Sequence, residues 1–294
     1  MKAEDEIEVQ TVVPAQMSPT TVLDYLAGRF TYLTPAEWRR FLLEGRIQVD
    51  GHLAEPGTTV GAGAVVTSLL PAPAADIPPY TIIYEDAWLL AVDKPAGLRV
   101  HGRGPFIRAN LIYHLRQHGY PDASLVNRLD SNTSGVVVIA KTTAALPALQ
   151  TLFRTQQVEK QYLAWVHGQP ALAGSIAYSL GAIKGGDERR RYVRPNPAGR
   201  PARTDFRRLQ QGEQFALLRL WPRTGRTHQL RAHLAALGHP IAGDWQYGCT
   251  TDRETLQLTR HLLHCQHTCF DHPWLRQTIT LTAPIPADFL QEPR

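Results

Sequence analysis

Cysteine is nearly absent, with three residues in 294. A small, odd number builds no disulfide framework and points to a reducing compartment. Long apolar runs are missing too: no stretch approaches the roughly 20 residues that cross a bilayer as a helix. The first residues, Met1-Lys2-Ala3-Glu4-Asp5-Glu6, are acidic with no apolar core and do not read as a secretory signal. The expected location is the cytoplasm. Internal repeats and low-complexity tracts are lacking, and so is any Walker-type phosphate loop. Gly61-Ala62-Gly63-Ala64 leads into a strand rather than a helix, the wrong context for a dinucleotide site, so no nucleotide cofactor is expected.

What is present is an ordinary globular composition, 43% hydrophobic and 19% charged, which is enough to bury a core. The length suits roughly two domains. Lys and Arg outnumber Asp and Glu by 31 to 26, so the chain is mildly basic and a polyanionic partner is favoured. Distribution is more telling than the total. Between Lys184 and Arg208 nine basic residues face three acids, an excess of six that is larger than the net +5 of the whole chain. Arg189, Arg190 and Arg191 are consecutive there, in a Gly- and Pro-rich setting. This reads as a loop that contacts RNA phosphates; a merely solvated loop is the plainer alternative.

Residues 1–16 read as a polar tail. Residues 17–70 read as a small module: a helix over 19–29, and a second helix begun by Thr34-Pro35-Ala36-Glu37, whose Thr and Glu suit a capping box. Ile47 to Leu53 then holds Asp50-Gly51 between short alternating runs, a hairpin signal, and a further strand follows over 64–70. Two helices and a hairpin in this order resemble the small alpha-L RNA-binding module shared with a ribosomal small-subunit protein. Arg39, Arg40 and Arg46 lie where that module presents basic residues to the RNA backbone. Against this, the segment holds four arginines and five acids and is not basic overall. Residues 71–79 form a proline-rich linker. Residues 80–294 then carry strands over 81–84, 88–93, 135–140, 160–167, 204–209, 215–221, 262–270 and 277–281, and helices over 107–118, 143–154 and 227–237. Runs of strands without intervening helices predict an α+β fold with a mixed, mostly antiparallel sheet. Because the linker separates two cores, a chain lacking residues 1–70 is expected to fold.

Three stretches carry candidate chemistry. Asn127-Arg128-Leu129-Asp130-Ser131-Asn132-Thr133-Ser134-Gly135 places one carboxylate before a buried strand; alone, Asp130 could simply make an Asx turn. Thr224-Gly225-Arg226-Thr227-His228-Gln229-Leu230-Arg231 opens a helix that Thr227 could cap, with Arg231 at the edge of its apolar stripe, where the guanidinium needs a carboxylate. Glu159-Lys160-Gln161-Tyr162 places a tyrosine on a strand, facing either a cleft or the core. A fourth cluster, from His261 to His272, is dense in Cys and His. It reads as an alternating strand with no paired CxxC, placing Cys265, His267 and Cys269 on one face and His264 on the other, so no metal site is expected.

The three stretches, in this order, resemble the RluA-type pseudouridine synthases. So do Asp93-Lys94-Pro95-Ala96-Gly97, Gly238-His239-Pro240-Ile241-Ala242-Gly243-Asp244, and His264 with His272-Pro273. The likeness covers roughly residues 80 to 285. It implies an enzyme that isomerises uridine in structured RNA, ribosomal before transfer RNA, without a cofactor. It makes Asp130 the catalytic aspartate, Tyr162 the active-site tyrosine and Arg231 the partner of Asp130. Arg128 fills the space of the extruded base, and Thr133, Arg226 and His228 contact the substrate. The base must leave its stack to react. The carboxylate then either attacks the anomeric carbon or takes a ribose proton, while the tyrosine stacks on uracil and relays the last proton. Asn127, Ser131 and Asn132 depart from the pattern, which has histidine, a basic residue and an acid there. A non-catalytic RNA-binding protein on the same fold is the competing class; retention of Asp130 and Tyr162 argues for the enzyme. A monomer is expected.

Overall fold

The computed structural model describes residues 6–30, 32–71, 77–102, 104–182, 193–249 and 252–293. Arg189, Arg190 and Arg191 lie outside the described residues. The chain divides into two units. The first comprises Met1–Asp76, Gly102–Tyr113 and Lys184–Arg191, and the second Ile77–His101, His114–Ile183 and Tyr192–Arg294.

The first unit begins with β1 (Glu6–Val12). Then follow β2 (Thr20–Thr21), α1 (Val22–Arg29), α2 (Pro35–Leu43), β3 (Ile47–Val49), β4 (His52–Leu53), β5 (Thr59–Val60) and β6 (Val65–Pro71). Its main sheet runs β1-β6-β3-β4. Tyr25, Leu26, Trp38, Phe41, Ile47 and Val66 centre its core. The capping box forms: the Glu37 amide donates to Thr34 Oγ1 at 3.1 Å, and Glu37 Oε2 accepts from the Thr34 amide at 2.6 Å. Two readings need correction. Residues 6–12 are not tail but an antiparallel edge strand on β6. Its period-two pattern buries Ile7 and exposes Glu8 and Gln10, and those outward polar residues disguise the strand. The first helix starts at Val22, because Thr21 Oγ1 accepts from the Asp24 amide and caps it there.

The second unit holds β7 (Thr81–Glu85), β8 (Leu89–Lys94), α3 (Leu111–Gln117, shared with the first unit), β9 (Ser124–Leu125) and β10 (Ser134–Ala140). It continues with α4 (Leu146–Arg154), β11 (Val158–His167), β12 (Ala173–Ile176), β13 (Leu180–Ala182), β14 (Val193–Pro195), β15 (Thr204–Gln211) and β16 (Phe215–Pro222). Last come α5 (Gln229–Ala236), α6 (Asp252–Thr255), β17 (Leu263–Asp271) and β18 (Thr278–Thr282). The main sheet runs β12-β15-β16-β11-β17-β10-β8-β7, with β18 beside β17 and β9 beside β10. Among the described residues only β10 and β17 pair in parallel; the fold is α+β with a mixed, mostly antiparallel sheet. Helices are shorter than their apolar patterns suggest. The one read from 107 starts at Leu111, after a 3-10 turn, and the one read from 143 starts at Leu146.

The β17 pattern is corrected by a bulge. Tyr162 pairs with Cys265 and Gln161 with His267, so Gln266 is an extra residue. Simple alternation is lost: Cys265 shares the Tyr162 face, while His267 and Cys269 face the other way with Gln161 and Glu159. Among the described residues, no three His, Cys, Asp or Glu side chains are placed to hold a metal ion, and no helix is long and apolar enough to cross a membrane.

The parallel junction explains one glycine of the motif. Gly135 has φ 109°, and a Cβ there would lie 2.1 Å from the Cys265 carbonyl oxygen. Gly135→Ala is therefore expected to destabilise the protein by at least about 2 kcal/mol, as the sum of backbone strain and displaced strand. Chemical denaturation measures this; a loss below about 0.5 kcal/mol would contradict the close-packed junction.

Candidate active site

The loop before β10 carries Asp130, and five contacts fix its path. Asn127 Oδ1 accepts from the Val138 amide at 2.7 Å. The Thr133 amide returns to the Asp130 carbonyl at 3.1 Å, closing a turn. Thr133 Oγ1 lies 2.8 Å from His261 Nε2. The Ser131 carbonyl accepts from Lys94 Nζ at 2.8 Å, and from the Gly97 amide at 2.9 Å. Lys94 is wholly buried at the end of β8 and donates also to the carbonyls of Pro95 and Leu98. An ammonium has three hydrogens, and all three are used. Burial still pulls its pKa down to about 7. The Lys-Pro-Ala-Gly motif thus clamps the aspartate loop through backbone oxygens. Asn127 serves the strand's backbone, which accounts for an amide at that position.

The loop from Pro222 to His228 is held by Gln229. Its Oε1 accepts from Thr224 Oγ1 at 2.7 Å and the Arg226 amide at 3.1 Å; its Nε2 donates to the Arg203 carbonyl and Thr204 Oγ1. Helix α5 is capped at His228, not Thr227, and without a side-chain cap. His228 adopts φ 52°, ψ 23°, a left-handed conformation that turns its side chain away from the helix amides.

Arg231 is the hub. Its Nη1 donates to Asp130 Oδ2 at 3.0 Å. Its Nε and Nη2 donate to Asp244 Oδ2 and Oδ1 at 2.7 and 2.9 Å, a bidentate pair, and Nη2 reaches Gln246 Oε1 at 2.9 Å. The guanidinium carbon lies 5.0 Å from the Tyr247 ring centre. The side chains are 7% exposed for Arg231, 1% for Asp244 and 27% for Asp130, so only Asp130 of the two carboxylates is open to a ligand. Burial pushes the Asp130 carboxyl up, but His228, Arg231 and His261 together pull it down further, below the ordinary carboxylate range. Burial likewise raises the Asp244 carboxyl, and Arg231 overrides it and lowers it. The guanidinium loses to burial but gains more from the two carboxylates, so its pKa is raised.

Asp130 opens into a cleft of about 290 Å³. Arg128, Thr133, Lys160, Tyr162, Arg226, His228 and Arg231 line it, with Phe153, Leu230 and Leu263 as apolar walls. Every catalytic and substrate residue expected from the sequence therefore meets in one place. Tyr162 is buried, and Cys265 is its cross-strand partner on β17. Desolvation first, then Cys265, push the phenol well above its ordinary value, so it enters as a neutral ring. Arg39, Arg40 and Arg46 belong to the first unit. Arg40 pairs with Glu44 at 3.5 Å, Arg46 with Glu6, and Arg39 is exposed. Reasoning from sequence missed Asp244, Gln246, Tyr247, His261 and the Lys94 clamp as parts of the site. Asp244 closes a quoted motif and Lys94 sits in another, so position alone could have marked these two.

A family model for RNA pseudouridylate synthase matches residues 88–236. The chain is 35% identical over 307 residues to an uncharacterized RNA pseudouridine synthase of Chloroflexus aurantiacus, covering 98% of this chain and 95% of the relative. It is 32% identical over 305 residues to the ribosomal large subunit pseudouridine synthase D of Vibrio cholerae, covering 96% and 92%. Among solved structures, human RNA pseudouridylate synthase domain containing 1 superposes with a TM-score of 0.60 at 27% identity, over 73% of this chain and 86% of that one. With its motifs gathered in one cleft and these relatives matched over nearly its whole length, the chain belongs to the RluA-type RNA pseudouridylate synthases, which are isomerases.

Proposed function

We propose that this pseudouridine synthase isomerises a specific uridine of ribosomal RNA, with Asp130 as the catalytic group, in the cytoplasm and as a monomer. The observation that carries the reading is the asymmetry of the two carboxylates on Arg231. Asp244 is buried and held by Arg231; Asp130, about a quarter exposed, lines the cleft, and its lowered pKa favours the carboxylate. The choice of ribosomal over transfer RNA follows the name of the Vibrio relative, a ribosomal large subunit pseudouridine synthase. Arg39, Arg40 and Arg46 on the first unit, and Arg189, Arg190 and Arg191, supply backbone contacts in this reading.

The chemistry follows from the residues. The uracil N1–ribose bond breaks with its electron pair left on N1, the base turns, and ring carbon five bonds to the anomeric carbon; the hydrogen of carbon five leaves as a proton while N1 takes one up. Asp130 serves the ribose, as nucleophile at the anomeric carbon or as base toward the neighbouring proton. Tyr162 offers a ring face for the base, and Arg128 and Arg226 offer charge at the rim. Product and substrate are isomers, so no electron or phosphate is exchanged and the reaction calls for no cofactor. Because ring carbon five loses its hydrogen, the test is release of tritium from ribosomal RNA labelled at that carbon. Release by the purified protein, and none from Asp130→Asn, is expected. RNA binding without release by the wild-type protein would favour the non-catalytic class.

The depressed Asp130 pKa sets a pH signature. A carboxylate lowered in the folded state is ionised throughout the neutral range, and its contribution is lost only as pH falls through that lowered value. The single-turnover rate is expected to stay level from about pH 8 to about pH 5 and to fall below that. An acid limb centred above about pH 5 would contradict the pairing with Arg231.

A further inference from the structure

We infer that Tyr247 and His228 form a positioning pair that presents one oxygen of Asp130 to the substrate; this rests on the functional reading above. The two residues come from different elements. His228 caps α5, and Tyr247 lies in the turn after Asp244. His228 holds a left-handed backbone, which costs an L-residue about 1 kcal/mol or more, and makes no capping bond in return. Its imidazole is used elsewhere.

Nδ1 of His228 lies 2.8 Å from the Tyr247 hydroxyl, and the two rings meet edge to face at 5.6 Å. The same hydroxyl oxygen accepts from the Val193 amide at 2.9 Å. A backbone amide can only donate. We assign the hydroxyl hydrogen to the bond with His228 Nδ1, the arrangement in which the imidazole carries its proton on Nε2. Nε2 faces Asp130 Oδ1 at 3.7 Å, while Oδ2 is taken by Arg231 at 3.0 Å. The ring of Tyr247 meanwhile lies against the Arg231 guanidinium. One tyrosine thus touches both donors that flank the carboxylate.

The division of labour has a chemical consequence. Oδ2 is held firmly by a permanent cation. Oδ1 faces a neutral N–H beyond full hydrogen-bond length, so it stays available to the ribose. A second fixed cation there would hold the carboxylate in its ground state; a neutral donor follows the oxygen as its charge changes. The charged groups facing the imidazole are Asp130, Arg231, Asp244 and Arg128; burial lowers its pKa and favours the neutral ring, while Asp130 pulls the other way. Tyr247 is thus a positioning residue acting through His228.

Tyr247→Phe keeps the ring against Arg231 and removes only the hydroxyl. Its single-turnover rate on labelled ribosomal RNA is expected to fall about 10- to 100-fold, with KM within about twofold of wild type. His228→Ala should fall at least as far, His228→Asn should recover part of that loss because asparagine tolerates the left-handed backbone, and the double variant Tyr247→Phe with His228→Ala should match His228→Ala alone. Nitrogen-15 NMR of the resting wild-type protein should find the His228 proton on Nε2, and a mixture of tautomers in Tyr247→Phe. A wild-type rate in Tyr247→Phe, losses that multiply in the double variant, or a proton on Nδ1 in the wild type would each overturn the inference. Absence of tritium release from the wild type would instead sink the functional reading, and the tautomer measurement would still judge the pair.

Discussion

Replacing Asp130 with alanine or asparagine is expected to stop pseudouridine formation, lowering the single-turnover rate by at least about 10³-fold. Among the described residues, no other carboxylate lines the cleft to take its place. Asp244 is buried and spends both oxygens on Arg231. The fold should tolerate the change, because Arg231 keeps its bidentate pair and Gln246 when Asp130 is gone. RNA affinity should stay within a few-fold, since backbone contacts carry most of it. The loss is read as tritium release under single-turnover conditions, beside a binding curve and a thermal melt. A rate above about one per cent of wild type from Asp130→Ala would remove Asp130 from the chemistry.

Arg231 is expected to behave differently. Arg231→Ala should abolish activity and also cost about 3–5 kcal/mol of stability, because it leaves a buried carboxylate without its partner. That carboxylate is Asp244, at 1% side-chain exposure, rather than Asp130, which water can reach. The sequence points to Asp130 alone as the arginine's partner; the structure divides the guanidinium between two. The compensating change moves with it. Arg231→Met combined with Asp244→Asn should recover much of the stability, whereas Arg231→Met combined with Asp130→Asn should recover little. Neither double variant should turn over. Chemical denaturation of the four single and two double variants measures both cycles. Strict additivity for Arg231 and Asp244 would show that the buried pair does not couple.

Local signals in this chain were legible where chemistry and period agree. The fully buried strand over 134–140, the Thr34–Glu37 box and the Asp50-Gly51 turn follow from residues within a few positions of each other. The residues expected to be catalytic or substrate-binding were named through motif likeness, and the structure brings them to one cleft. What was not legible depends on long-range contact. The bulge at Gln266 is set by pairing with β11, a hundred residues earlier in the chain, and it undoes simple alternation. The Lys94 clamp reaches Ser131 across a turn that the sequence does not draw. His228 displaces Thr227 as cap because Tyr247 and Asp130 draw its imidazole into the site. Strand β1 was hidden for a simpler reason: Glu6, Glu8 and Gln10 give it a polar look, and only Ile7 is fully buried.

The central claim is that this protein makes pseudouridine in ribosomal RNA through Asp130. Pseudouridine mapping of ribosomal and transfer RNA from cells lacking the protein tests it most directly, with complementation by wild type and by Asp130→Asn. The account predicts that a defined ribosomal position loses its pseudouridine, regains it with the wild-type protein and stays uridine with the variant. Ribosomal RNA with every pseudouridine intact, or a lost position restored by Asp130→Asn, would contradict it.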